Sequence, residues 1–169
     1  MMSPGVRRLT LAVHLTLSIG WLGAVAAYVA LDVAAATSDR GQTLRAAYIG
    51  MELIALRVIV PLAVASLVTG VVISLGTKWG LVRHYWVLIS LVLTIIAIGV
   101  LLIETRTIRS LGQVAREPTS STEALRALGT TLVHSIGGTL VLLVILVLNI
   151  YKPRGMTSYG WRKQQSQRP

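Results

Sequence analysis

The chain alternates between long apolar runs and short polar segments. Each run lacks Asp, Glu, Lys and Arg over at least 20 residues. That length crosses a hydrocarbon core of about 30 Å as a helix rising about 1.5 Å per residue. The pattern therefore predicts four membrane-spanning helices, at about residues 9–33, 51–76, 82–104 and 127–151.

The connections between these runs are short, which favours neighbouring helices that run in opposite directions. We predict an all-α, up-down-up-down bundle that forms one integral membrane domain over residues 1–169. The longest connection, from Glu104 to Arg126, contains the segment EPTSST and is expected to be a surface loop. A basic tail, residues 152–169, follows the fourth run.

Alternate connections differ sharply in charge. One set holds seven arginines and all six acids, and the other holds nine cations and no acid. Lys and Arg near the ends of spans are retained in the cytoplasm, so both termini are predicted to be cytoplasmic. Arg outnumbers Lys thirteen to three and Phe is absent, which suggests a GC-rich bacterial genome and a multi-pass protein of the bacterial inner (plasma) membrane. The nine cations are Arg7, Arg8, Lys78, Arg83, Lys152, Arg154, Arg162, Lys163 and Arg168.

Composition excludes several functions. A net charge of +10 would suggest nucleic-acid binding in a soluble protein. Here the mean hydropathy is +0.72, and the cations gather where they meet anionic lipid. The lipid bilayer is therefore the predicted partner, and nucleic acid is not. The absence of cysteine rules out disulfides, thiolate catalysis and iron–sulfur ligation within this chain.

The register of the second and third runs predicts an ion pair. Arg57 lies 21 residues before Lys78, and Glu104 lies 21 residues after Arg83, so both reach the same depth across a tight turn. An arginine in an apolar helix is costly unless it is paired or extends to the headgroups. We expect Arg57 to pair with Glu104, and an unpaired Arg57 that reaches the outer headgroups is the alternative.

The first helix carries nearly all of its large polar groups on one face. Successive steps of four and three residues keep them in one stripe, which must face protein or a cavity. The glycines and alanines beside the stripe allow a neighbouring helix to approach closely. The stripe consists of His14, Ser18, Trp21, Val25, Tyr28 and Asp32.

Three histidines, His14, His84 and His134, lie within or at the edge of the runs. A histidine in a membrane suggests a functional site, and neutral imidazoles from facing helices can ligate haem iron. The alternative for each is an interhelical hydrogen bond, worth about 0.6 kcal/mol. By depth, His14 and His84 share the cytoplasmic half and are the expected bis-histidine pair. His134 is then left for a second ligand site or for accepting a proton.

The segment "HLTLSIGW" followed by "LG" resembles the first helix of the copper-resistance D-type proteins and of the membrane-embedded protoporphyrinogen IX oxidases. This resemblance implies haem b binding, with His14 and Trp21 at the site. The oxidases carry a lysine near the position of Ser90, and the four methionines form no cluster for copper(I). Together with "GTKWGLVRHYWVLISLVLT" and "YKPRGMTSYGWRKQ", the first helix is more closely similar to an uncharacterised family of four-helix bacterial membrane proteins common in actinobacteria.

We therefore predict a protein that binds a b-type haem or porphyrin for electron transfer or redox chemistry with a redox partner. The predicted site comprises His14, Trp21, Tyr28, His84 and His134. Two alternatives remain: a non-catalytic membrane subunit that docks another subunit or a second copy, and a small transporter that uses the polar stripe. Hydrolysis is not expected, because no acid lies at a depth suited to orient His14 or His134.

Overall fold

The computed structural model describes residues 2–77 and 79–165. Within these ranges the chain forms seven α-helices, one π-helical turn and no β-strand. Lys78 and the last four residues of the predicted tail, which include Arg168, lie outside the described residues. The helices are α1 (Pro4–Thr37), α2 (Gly41–Ile54), the π-helical turn (Ala55–Ile59), α3 (Val60–Gly76), α4 (Tyr85–Arg116), α5 (Thr122–Ala127), α6 (Leu132–Tyr151) and α7 (Ser158–Gln165).

Four helical segments are long and apolar enough to cross a membrane. They are α1, the continuous segment Gly41–Gly76, α4 and α6. Many of their large apolar side chains remain exposed, such as Val68, Ile103 and Ile150, as expected of surfaces that lipid tails cover. The prediction of an all-helical chain with four helices able to span a membrane is confirmed for the described residues.

Two helices continue well beyond the apolar runs. The prediction of a surface loop from Glu104 to Arg126 is wrong as far as Arg116, because α4 continues to that residue. The helix α5 forms part of the remaining connection. This extension buries Ile108, Leu111 and Ala115, at helical spacing, against α2. The amphipathic pattern, rather than hydropathy, sets its length.

The helices α2 and α4 pack closely, and side chains of α2 bond to the C-terminal end of α4. Gly112 gives room to Glu52, since a Cβ at that position would clash with the glutamate side chain. Glu52 in turn forms an ion pair with Arg116. The Arg45 guanidinium donates hydrogen bonds to four backbone carbonyl oxygens at and beyond the end of α4, including that of Ala115 at 2.9 Å. These contacts hold the end of α4 against α2.

Contacts among the chain segments define the two ends of the bundle. At one, the tail end, the Met2 amide donates to Gly76 and the Tyr85 amide donates to Gly155. At the other, the loop end, Tyr48 donates to the Gly129 carbonyl oxygen at 2.9 Å. Most of the buried core lies toward the loop end, so that end is the more tightly packed. Its most buried side chains include Asp32, Leu44, Tyr48, Met51 and Leu125.

Candidate functional site

A buried carboxyl group links α1 to the start of α6 near the loop end. Asp32 is completely buried and accepts hydrogen bonds from the Thr131 amide at 3.2 Å and the Thr131 hydroxyl at 2.8 Å. The Ser135 hydroxyl donates to Asp32 at 3.0 Å. The Tyr28 hydroxyl lies 2.8 Å from the Thr131 hydroxyl oxygen and donates to it, since the single hydroxyl proton of Thr131 is directed to Asp32. These four residues form the Asp32 cluster.

A cavity of about 280 Å³ lies beside this cluster, between α1, the π-helical turn, α4 and α6. Its volume is near the lower end of the range of about 300–1,000 Å³ typical of small-molecule sites. Most of the lining is aliphatic, and Trp21 and Tyr28 supply the aromatic surface. The exposed lining residues Ile96, Val100 and Val133 lie on α4 and α6, so the cavity opens between these helices toward the lipid-facing surface.

A carboxyl–imidazole pair stands at the cavity. Glu104 Oε1 on α4 lies 3.6 Å from His134 Nε2 on α6, and both residues line the cavity. The side chain of Glu104 is 19% exposed and that of His134 is 55% exposed, so the pair is partly shielded and still reachable from the opening. The pair can accept a proton from a bound molecule or donate one to it.

The predicted ion pair between Arg57 and Glu104 is wrong. Arg57 lies in the π-helical turn with its side chain exposed, and Glu104 faces His134 instead. The sequence register counts only depth along the helix axis, whereas the direction of a side chain also depends on its angle around that axis. A π-helical turn changes this angle for the residues within and after it.

The expectation that no acid lies near either histidine is also wrong, because Glu104 is beside His134. The arrangement is nevertheless not a hydrolytic triad. The Ser135 hydroxyl bonds to Asp32 and to the Leu132 carbonyl oxygen, and not to the His134 ring.

The structure divides the predicted site residues into two groups. Trp21, Tyr28 and His134 line the cavity, whereas His14 and His84 do not. His14 Nδ1 lies 3.0 Å from the Thr69 hydroxyl, and the ring packs against Gly70 of α3. His84 Nδ1 lies 2.7 Å from the Trp79 carbonyl oxygen, and its ring contacts the Trp79 ring edge-on.

Ser18 of the polar stripe also has a partner. Ser18 bonds to Ser66 of α3 at 2.7 Å, and this contact lies next to the bond between His14 and Thr69. Within the described ranges, Thr77 carries the single buried side-chain oxygen that lacks a hydrogen-bond partner. The stripe therefore joins helices through hydrogen bonds and shows no row of unpartnered polar groups.

The histidine positions bear directly on haem ligation. No group of three or more His, Cys, Asp or Glu side chains able to hold a metal ion occurs in the described part of the chain. The cavity contains one imidazole, that of His134, with a carboxyl group beside it. If a haem or porphyrin occupied this cavity, His134 would be the histidine that holds it, because the expected pair of His14 and His84 lies outside the lining.

Sequence reasoning missed how Glu104, Thr131 and Ser135 come together. Glu104 and Thr131 lie at the edges of apolar runs, and Ser135 follows His134 directly. Such positions indicate depth but not which helix a side chain faces. Comparison of the chain with models of protein families, with curated proteins and with solved structures finds no match.

Proposed function

We propose that this integral membrane protein binds one lipid-soluble ligand, with an apolar body and a hydrogen-bonding head group, in the cavity beside the Asp32 cluster. The observation that carries the proposal is the composition of the lining, which is aliphatic and aromatic apart from a few polar groups that include an ionisable pair. A site of this kind selects an apolar ligand by its shape and fixes its orientation through the few polar groups.

The hydrogen bonds already formed decide which polar groups meet the ligand. Tyr28, Thr131 and Ser135 direct their hydroxyl protons to partners within the protein. Glu104 and His134 share a single contact of 3.6 Å, which is too long for a strong hydrogen bond. The ligand head group therefore meets Glu104 and His134, and its body lies against Trp21 and the aliphatic wall.

The charge distribution suggests the membrane side of this site. The tail end carries cations without acids, and the loop end carries the acids. With both termini cytoplasmic, as the positive-inside rule favours, the cavity would open to the outer leaflet of a bacterial inner membrane. A ligand would then enter laterally from that leaflet, between α4 and α6.

Binding of a short-chain quinone, decylubiquinone, tests this proposal. We expect saturable quenching of tryptophan fluorescence when it is titrated into the protein in nanodiscs, because Trp21 lines the cavity. His134→Ala should weaken binding about five-fold by removing an imidazole N–H that can donate to a quinone carbonyl oxygen. His14→Ala, at a histidine that does not line the cavity, is the matched control and should leave binding unchanged. Quenching that rises linearly without saturation, or equal affinities for wild type and His134→Ala, would contradict the proposal.

A second candidate is a b-type haem or a porphyrin held by His134 alone. The observation that favours it is Glu104 beside the imidazole, since a carboxyl partner commonly orients a metal-binding histidine. The first-helix motif that resembles haem-binding membrane proteins also supports it. Such a group would supply one-electron chemistry to a redox partner, while Glu104 orients the His134 ring and the aliphatic wall excludes water.

Absorption spectra separate this candidate from the first. After purification from haem-replete cells, Soret and α bands should be present in the wild type and in His14→Ala, and absent in His134→Ala. Loss of the bands in His14→Ala instead would favour the ligand that the sequence motif suggests. A folded wild type without these bands would exclude the haem candidate and leave the first proposal standing.

A further inference from the structure

The C-terminal segment folds back onto the connection that precedes α4. The Tyr85 amide donates to the Gly155 carbonyl oxygen, and an isolated β-bridge pairs His84 with Met156. The Thr157 hydroxyl donates to the Val82 carbonyl oxygen at 2.6 Å. The segment predicted as a plain basic tail is therefore anchored to the bundle immediately before α7 begins.

Gly160 sets how closely α7 approaches the bundle. It is buried, and a Cβ at this position would lie 2.5 Å from the Arg83 carbonyl oxygen. Backbone atoms surround this point, so a larger residue cannot be accommodated by moving a side chain. One side of α7 is thus fixed against the connection, and the opposite side is directed outward.

The outward side combines aromatic and cationic residues. The exposed fractions are 47% for Tyr159 and 55% for Trp161, and Arg162 and Lys163 are also exposed. The Lys163 ammonium lies over the Tyr159 ring, 5.9 Å from its centroid. We name this surface, together with the exposed Arg154, the tail platform.

The charge around the tail platform has one sign. All six acids of the chain occur between residues 32 and 123, and none of them lies in the segments that form the tail end. Those segments contain four further cations, Arg7, Arg8, Arg83 and Lys152. Gly76, Tyr85 and Tyr151 mark where the apolar helices α3, α4 and α6 end or begin there. The platform therefore lies where a bilayer's headgroups meet the bundle.

We propose that the tail platform binds the headgroups of anionic phospholipids. Tyr and Trp favour the headgroup level of a membrane, and Lys and Arg close to the surface attract anionic lipid. A short amphipathic helix held at the interface can use both effects at once. Because docking fixes α7 before lipid binds, no ordering of a free tail opposes the interaction.

The lipid that co-purifies with the full-length protein tests this proposal. The protein is extracted with mild detergent from bilayers of phosphatidylglycerol and phosphatidylcholine, and the ratio of the two retained lipids is measured by mass spectrometry. We expect the wild type to retain an enriched share of phosphatidylglycerol. In Arg162→Gln/Lys163→Gln this enrichment should fall about five-fold for each cation that is removed. The matched control, Arg106→Gln/Arg109→Gln, removes two exposed arginines of α4 and should keep the enrichment.

A second variant tests whether docking matters. Gly160→Val retains every cation but forces α7 away from Arg83, so it should also lower the enrichment. Quenching of Trp161 by brominated phosphatidylglycerol, relative to brominated phosphatidylcholine, should fall in parallel. Equal enrichment in the wild type and Arg162→Gln/Lys163→Gln, or an equal loss in the α4 control, would overturn the proposal. Full enrichment in Gly160→Val would overturn the part of it that requires a docked helix.

Discussion

Replacing Asp32 with alanine is expected to destabilise the folded protein by about 3–5 kcal/mol. The carboxyl group is completely buried and accepts three hydrogen bonds, from the Thr131 amide, the Thr131 hydroxyl and the Ser135 hydroxyl. Alanine would leave the Thr131 amide and hydroxyl without this acceptor and the Ser135 hydroxyl with only the Leu132 carbonyl oxygen, at about 1–3 kcal/mol for each buried polar group left unsatisfied. The measurement is the free energy of unfolding in detergent, from a denaturant titration followed by circular dichroism.

Two further variants make this prediction specific. Asp39→Ala removes an acid from the same end of the bundle, but its side chain is 91% exposed and pairs with Arg126 at the surface. Such a pair contributes about 0–1 kcal/mol, so this variant should remain close to wild type. Asp32→Asn preserves the shape of the side chain and keeps one acceptor oxygen. Its free energy of unfolding should therefore lie between those of Asp32→Ala and Asp39→Ala. Equal stabilities of Asp32→Ala and Asp39→Ala would show that the Asp32 cluster does not hold α1 to α6.

Hydropathy predicts the number of spanning helices because the cost of burying charge in lipid limits where charged residues can lie. It does not predict where each helix ends. The third apolar run stops at Glu104, yet α4 continues to Arg116. It continues because Ile108, Leu111 and Ala115 keep helical spacing and pack on α2. The same periodicity extends α2 back to Gly41, before the apolar run begins. The signal for both extensions is present in the sequence as an amphipathic pattern.

The sequence predicts which residues of the α1 polar stripe are buried better than it predicts which residues they contact. Trp21, Val25, Tyr28 and Asp32 are buried as the 3–4 spacing requires. Their contacts depend on how the other helices are rotated, which depth along the sequence does not determine. Glu104 therefore meets His134 rather than Arg57, and His14 meets Thr69. A histidine in an apolar run is thus not by itself an indication of an inward-facing position or of a ligand, since the His134 side chain is 55% exposed and His14 bonds to Thr69.

Filling the cavity from α6 is expected to weaken ligand binding by up to about two orders of magnitude while leaving the fold intact. Gly138 lines the cavity, and a Cβ built on it has no heavy-atom neighbour within 4 Å, so Gly138→Leu places a side chain in open space. Leucine also favours a helix over glycine, by somewhat less than the roughly 0.8–1.0 kcal/mol that separates alanine from glycine, so we expect no loss of stability. The ligand must then compete with the leucine for the same volume. Overpacking a filled site costs about 1–3 kcal/mol, which weakens binding about five- to 150-fold.

Gly99→Leu is the matched control for this prediction. Gly99 lies on α4, is exposed, has no neighbour within 4 Å of a built Cβ and does not line the cavity. The quinone titration should therefore give wild-type affinity for Gly99→Leu and an affinity about five- to 150-fold lower for Gly138→Leu, with both proteins unfolding at the wild-type denaturant concentration. Wild-type binding in a folded Gly138→Leu would place the ligand outside the cavity. Glu104 and His134 would then serve to join α4 to α6, and the buried hydrogen bonds of the Asp32 cluster would have the same purpose between α1 and α6.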